Sequence, residues 1–182
     1  DLPVPQLNPK FVLIVMIGGL SQIVATALLV SLFDKRNFAV GTTYSKTETV
    51  QAAIFGLVFL GEAVSFNATI GILVSLAGVI AISVARSPAN LRAIATSWTE
   101  RPALIGLASG AAFGVAAVSY RGASLSLGGD GFLMQAAVTL AFALVFQTIV
   151  MGSYMAVREP AELRASLAAW RVAIWVGLSG AL

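Results

Sequence analysis

The chain has 182 residues, of which 58% are hydrophobic and only 10% charged, with a net charge of +3. A soluble domain carries roughly 25% charged residues, so a soluble fold is excluded; apolar runs that recur from Phe11 to Leu182 also exclude a lone apolar tail or a secretory signal. The absence of Cys and His removes disulfides, thiol nucleophiles, Cys/His metal sites and most general-base chemistry.

The positive excess lies in loops between apolar runs, which is where a membrane protein carries it and not how a nucleic-acid footprint is built. The consistent solvent is a lipid bilayer. Each α-helical span then takes roughly 20 apolar residues, and six runs can be marked in chain order. The first covers residues 11–33, entered after Pro9 and Lys10 and left at Asp34-Lys35-Arg36-Asn37. The second covers 38–60 as one helix, stopping at Gly61-Glu62, and the third covers 66–85. The fourth runs from 102 to Tyr120, closed by Arg121 as a boundary anchor, and the fifth from 131 to 155. The sixth starts near Trp170 or Arg171 and reaches Leu182, too short to cross a core roughly 30 Å thick at about 1.5 Å per residue. With Asp1 in place of an initiator Met, the chain is expected to be an internal piece cut within a span.

A β-barrel is the other way to satisfy backbone groups in lipid, but Val12-Leu13-Ile14-Val15-Met16-Ile17 does not alternate. The expected class is all-α, a polytopic bundle. Residues 86–101, with Pro88, Asn90, Arg92 and Trp98, divide 1–85 from 102–182, and 89–98 is expected to form an interfacial helix. Residues 159–164 predict a second surface helix, with Pro160 tolerated in its first turn. Gly128-Gly129-Asp130-Gly131 lacks the flanking strand of a phosphate loop and is expected to be a turn.

Small residues at helical spacing predict how the spans meet. Gly106, Gly110 and Gly114 form a doubled GxxxG, and Gly71, Ser75 and Gly78 a second stripe. Such stripes let backbones approach where lipid supplies no hydrophobic drive between helices. Packing within the chain is the first expectation, a homodimer seam the second. Gly19-Leu20-Ser21 recurs as Gly177-Leu178-Ser179, at an offset of 158 residues, as a chain of two similar halves would show.

Charge at membrane depth is costly and marks function. Both formal charges well inside a span fall in the second, within Thr42-Thr43-Tyr44-Ser45-Lys46-Thr47-Glu48-Thr49. On one continuous helix Tyr44, Thr47, Glu48 and Gln51 share a sector of about 100°, with Lys46 nearly opposite Glu48. That stripe predicts a cavity wall, with Glu48 as proton carrier or contact for a cationic group. The competing reading makes Glu48 a carboxylic acid bonded to another helix and Lys46 a snorkelling side chain. Gln22, beside Ser21 and Thr26 in the first span, adds a polar group to the pathway set, while Gln135, Thr139 and Gln147 suit inter-helix bonding. Glu62 sits at an interface near a helix start, where negative charge is favoured. No catalytic constellation, metal site or cofactor is expected, and the chain is not read as an enzyme.

The stretch Gly56-Leu57-Val58-Phe59-Leu60-Gly61-Glu62 and then Ile70-Gly71-Ile72-Leu73-Val74-Ser75-Leu76-Ala77-Gly78-Val79 resembles the EamA family of the drug/metabolite transporter superfamily. Gly106-Leu107-Ala108-Ser109-Gly110-Ala111-Ala112-Phe113-Gly114 is similar to the helix that opens that family's second repeat. The resemblance implies ten helices in two inverted five-helix repeats, of which this chain would carry the third to the eighth. It also implies a multi-pass protein of the cytoplasmic membrane that moves small metabolites, amino acids or drugs, often as an exporter. The family's proline before Leu-Gly-Glu is replaced here by the Thr47-Glu48-Thr49 region. Lys35, Arg36, Arg86, Arg92, Arg101, Arg158, Arg164 and Arg171 fall on one side and Lys10 and Arg121 on the other. The charge rule places the first set in the cytoplasm, and the family's usual topology places it outside.

Overall fold

The computed structural model describes residues 7–33, 38–61, 65–86, 101–128, 131–171 and 173–175. Among these every regular element is helical. In chain order they are α1 (Pro9–Val30), α2 (Phe38–Ser45), α3 (Glu48–Phe55), a π-helical turn (Gly56–Leu60), α4 (Phe66–Arg86), α5 (Arg101–Ser126), α6 (Phe132–Arg158) and α7 (Pro160–Ala168). Three of them, α1, α5 and α6, are long and apolar enough to cross a membrane. Their outer faces suit that solvent: Leu13, Leu133 and Val145 are each at least 60% exposed, which lipid tolerates and water penalises.

Local chemistry explains the ends. Asn8 caps α1, its side-chain oxygen accepting from the Phe11 amide at 2.7 Å, while Pro9 takes the first helical position, where no amide is needed. Pro160 starts α7 in the same way, as the sequence predicts. Gly61 ends the π-helical turn with φ 67°, a left-handed conformation that glycine adopts without strain, and its amide donates to the Gly56 carbonyl. Gly128 likewise has φ 64°, as a turn after α5 requires.

Two expectations change. The second span is not one helix over 38–60 but is interrupted at Lys46-Thr47 and ends in a π-helical turn. The fourth does not close at Arg121: α5 continues to Ser126, so Arg121 is an exposed residue inside the helix. No cap or proline stands near Tyr120 to stop it, and Ser126 instead holds the helix end, its carbonyl accepting from Asn8 Nδ2 at 2.8 Å. The expected interfacial helix at 89–98 and most of the sixth span lie outside the described residues.

The chain forms two compact units, Asp1–Ala143 and Leu144–Leu182. Within the first, α5 is the central element. One side of it receives α1, running antiparallel: Asn8 meets Ser126, Gly18 meets Tyr120, and the Ala25 carbonyl accepts from Ser109 Oγ at 2.9 Å. Its other side receives α2, α3 and the π-helical turn in parallel register. The small core at one end consists of Phe11, Val15, Ala123 and Ala143, with Phe142 set edge-on to Phe11 at 5.5 Å between ring centroids. In the second unit, α7 follows the end of α6 after one non-helical residue, Glu159.

Candidate functional site

The interruption in the second span is a local event with a readable cause. Five of the eight residues from Thr42 to Thr49 are Ser or Thr, which have modest helix propensity and side chains that compete for backbone partners. Thr47 Oγ1 donates to the Tyr44 carbonyl at 2.7 Å. The amides of Lys46 and Thr47 donate to the carbonyls of Thr43 and Tyr44, three residues back, at 3.2 and 3.1 Å. The turn is thus tightened to i→i−3 bonding, and α3 restarts with Glu48 in its first turn. Gln51 closes the arrangement: its Nε2 donates to Thr47 Oγ1 at 2.8 Å and, more weakly, to the Leu107 carbonyl of α5 at 3.4 Å.

What holds the break in place is the glycine stripe of α5. Gly106 lies directly against the Gly41 carbonyl, backbone on backbone. A Cβ at Gly110 would stand 2.8 Å from the Ser45 carbonyl oxygen and 3.3 Å from the Glu48 amide nitrogen. At Gly114 it would meet the Ala52 amide at 3.1 Å and the Phe55 ring at 3.2 Å. A side chain at Gly106 or Gly110 would collide with backbone, and one at Gly114 would need its neighbours to give by a few tenths of an ångström, which is the close-contact role the sequence assigns to the doubled GxxxG.

The predicted pathway residues divide accordingly. Tyr44, Thr47, Glu48 and Gln51 come together at the break, all half-buried, while Lys46 on the same turn is exposed. Because two helices meet here, the common sector is created by the tight turn and not by one 3.6-residue period. In the first turn of α3 the carboxylate faces the end of the helix dipole that favours negative charge. Gln22 belongs to a separate contact: its Oε1 accepts from the Tyr120 hydroxyl at 2.6 Å, joining α1 to α5 beside Gly18. Gln135 caps the opposite turn by donating from Nε2 to the Gly128 carbonyl at 2.8 Å, and buried Thr139 donates to the Gln135 carbonyl. Glu62 lies outside the described residues. Gly71 and Gly78 of α4 are exposed, with no atom near enough to touch a Cβ on either.

Four participants were missed by the sequence reading. Gly41 and Ser45 form a small-xxx-small pair on α2 that faces the stripe on α5, a spacing visible in the sequence. Ser109 and Tyr120 bond across to α1, and nothing in their local sequence indicates the partner. Every buried side-chain nitrogen and oxygen among the described residues has a hydrogen-bond partner. Among the described residues no group of three acidic side chains is placed to hold a metal ion.

Comparison with family models, with curated proteins and with solved structures finds no match.

Proposed function

We propose that this chain belongs to a secondary transporter of small metabolites, amino acids or drugs, of the EamA type, acting by alternating access in the cytoplasmic membrane. On this reading α2, α3 and the π-helical turn together form one discontinuous span, α4 another, and the residues from Trp170 onward a sixth, within an inverted repeat. The observation that carries the proposal is the broken second span. Non-helical backbone at membrane depth is tolerated where it is enclosed by protein or lines a cavity, and discontinuous helices are where transporters bind substrates and coupling ions. Here the break gathers Tyr44, Thr47, Glu48 and Gln51 against α5, on a helix whose remaining half is apolar. Glu48 is the group offered to a proton or to a cationic substrate, with Lys46 at the exposed edge of the same turn.

A second reading, a non-transporting membrane assembly subunit, draws on the open Gly71 and Gly78 face of α4, which suits lateral contact between helices. The two differ at Glu48. In proteoliposomes containing the full-length protein, Glu48→Gln is expected to abolish pH-driven uptake of a panel of labelled amino acids and cationic drugs, with the thermal midpoint unchanged. Glu62→Gln is expected to change stability more than uptake. Wild-type uptake by Glu48→Gln would remove the carboxylate from the transport pathway, and no uptake of any solute by the wild type would favour the assembly subunit.

A further inference from the structure

Beyond the break in the second span, the second unit carries a feature that transport does not require. The α6 helix has 27 residues and ends at Arg158; at about 1.5 Å per residue it spans roughly 40 Å, the thickness of a bilayer with its headgroups. At Glu159 the backbone leaves the helical region, with φ −142° and ψ 58°, and α7 begins at the next residue. A helix of this length that crosses a bilayer has its ends at the headgroups, so the break at Glu159 falls at the depth where an interfacial helix would begin.

The helical path continues beyond α7. The Ala169 amide donates to the Ala165 carbonyl at 3.0 Å, and the Ala169 carbonyl accepts from the Ala173 amide at 3.1 Å. Along this path Leu163, Leu167, Trp170 and Ile174 fall within a sector of about 60°. Leu167, Trp170 and Ile174 are 65%, 55% and 48% exposed. Arg164 and Arg171 lie together along one flank, about 70–90° from the centre of this stripe, and Glu162 lies about 110° away on the other. The Arg171 guanidinium sits over the Trp170 ring, 5.5 Å from its centroid, a pairing of cation and amphipathic ring suited to the headgroup layer. Arg158, Arg164 and Arg171 have no carboxylate partner among the described residues.

We infer that α7 and the turn that follows it lie in the membrane interface just before the proposed sixth span and bind anionic lipid headgroups through Arg164 and Arg171, with Leu163, Leu167 and Trp170 seated in the acyl boundary. An apolar stripe with arginines along one edge fits a charged interface better than a protein groove. The guanidinium forks match phosphate oxygens, while the stripe needs only fluid hydrocarbon.

The occupant is identified by quenching. With Trp98→Phe, and with any tryptophan outside these 182 residues also replaced by Phe, Trp170 and Trp175 are the fluorophores, and the protein is reconstituted in phosphatidylcholine vesicles containing an equal mole fraction of brominated phosphatidylglycerol or brominated phosphatidylcholine. Brominated phosphatidylglycerol is expected to quench severalfold more, since each surface arginine shifts anionic-lipid binding about fivefold. The preference is expected to fall toward unity in Arg164→Gln/Arg171→Gln, and in the unsubstituted arginine background at 1 M salt, where the screening length is about 3 Å. Equal quenching by the two lipids would overturn the inference, as would a preference that survives both changes. Absence of quenching by either lipid would mean that protein covers the stripe, and would overturn it too. The salt arm keeps the test decisive if the double variant misfolds.

Discussion

Helices α5 and α4 both carry small residues at close-packing spacing, and only one of them uses it. On α5, Gly106, Gly110 and Gly114 bear directly on backbone or ring atoms of α2 and α3, so that even a methyl group has no room at Gly106 or Gly110 and is tight at Gly114. On α4, Gly71 and Gly78 face open space. The difference lies in the partner. The α2 helix offers Gly41 and Ser45 four residues apart, a complementary small pair that lets two backbones meet, and no described residue comes within reach of a Cβ at Gly71 or Gly78 of α4. A glycine stripe therefore permits close approach, and a matching stripe elsewhere in the chain decides whether approach occurs.

Substitution tests this contrast directly. The largest effect is expected at Gly106, where Leu would have to push α2 off the Gly41 carbonyl: a loss above about 4 kcal/mol, read as failure to obtain monodisperse protein in detergent. Gly110→Leu is expected to cost about 1–3 kcal/mol or more through overpacking against Ser45 and Glu48. The control Ala117→Leu, on an exposed position of the same helix, is expected to stay within about 0.5 kcal/mol. Equal thermal midpoints for Gly110→Leu and the control would break the comparison on the α5 side.

A smaller change is expected from Tyr120→Phe, which removes the hydroxyl donated to Gln22 but keeps the ring beside Gly18. Inter-helical bonds in membranes average about 0.6 kcal/mol and reach about 1.7, so the midpoint should fall only slightly, and a null effect would assign the α1–α5 contact to packing alone. The smallest effect, of opposite sign, is expected on α4. Gly71→Ala should be neutral or stabilising by up to about 1 kcal/mol, because alanine restricts the unfolded chain and meets no neighbour. Gly71→Leu should be tolerated as well. Destabilisation by that leucine would show that another surface covers α4 in the folded protein, and the contrast with α5 would disappear.

Much of this was legible beforehand because it depends on composition and local sequence. Hydropathy fixed the solvent as lipid, and backbone satisfaction in lipid then required helices. Pro160 marked the start of α7, and the doubled GxxxG marked the face along which α5 meets its neighbour. The end of α5 and the continuity of the second span were not legible. Ser126 is held by Asn8, 118 positions away, so the neighbourhood of Arg121 carries no sign of the true terminus.

The break at Lys46-Thr47 has a local hint in its cluster of Ser and Thr, but a cluster of that kind only lowers the cost of leaving the helix. Whether the cost is met depends on contacts that hydropathy and periodicity do not encode: the Ser45 carbonyl and Glu48 amide against Gly110, and the Gln51 amide reaching the Leu107 carbonyl. The sequence by itself determined that Tyr44, Thr47, Glu48 and Gln51 are polar groups clustered within an otherwise apolar stretch. Only the tertiary structure decided that they meet at the joint between two short helices, because α5 must come within backbone contact before a tightened turn is more stable there than a continuous helix.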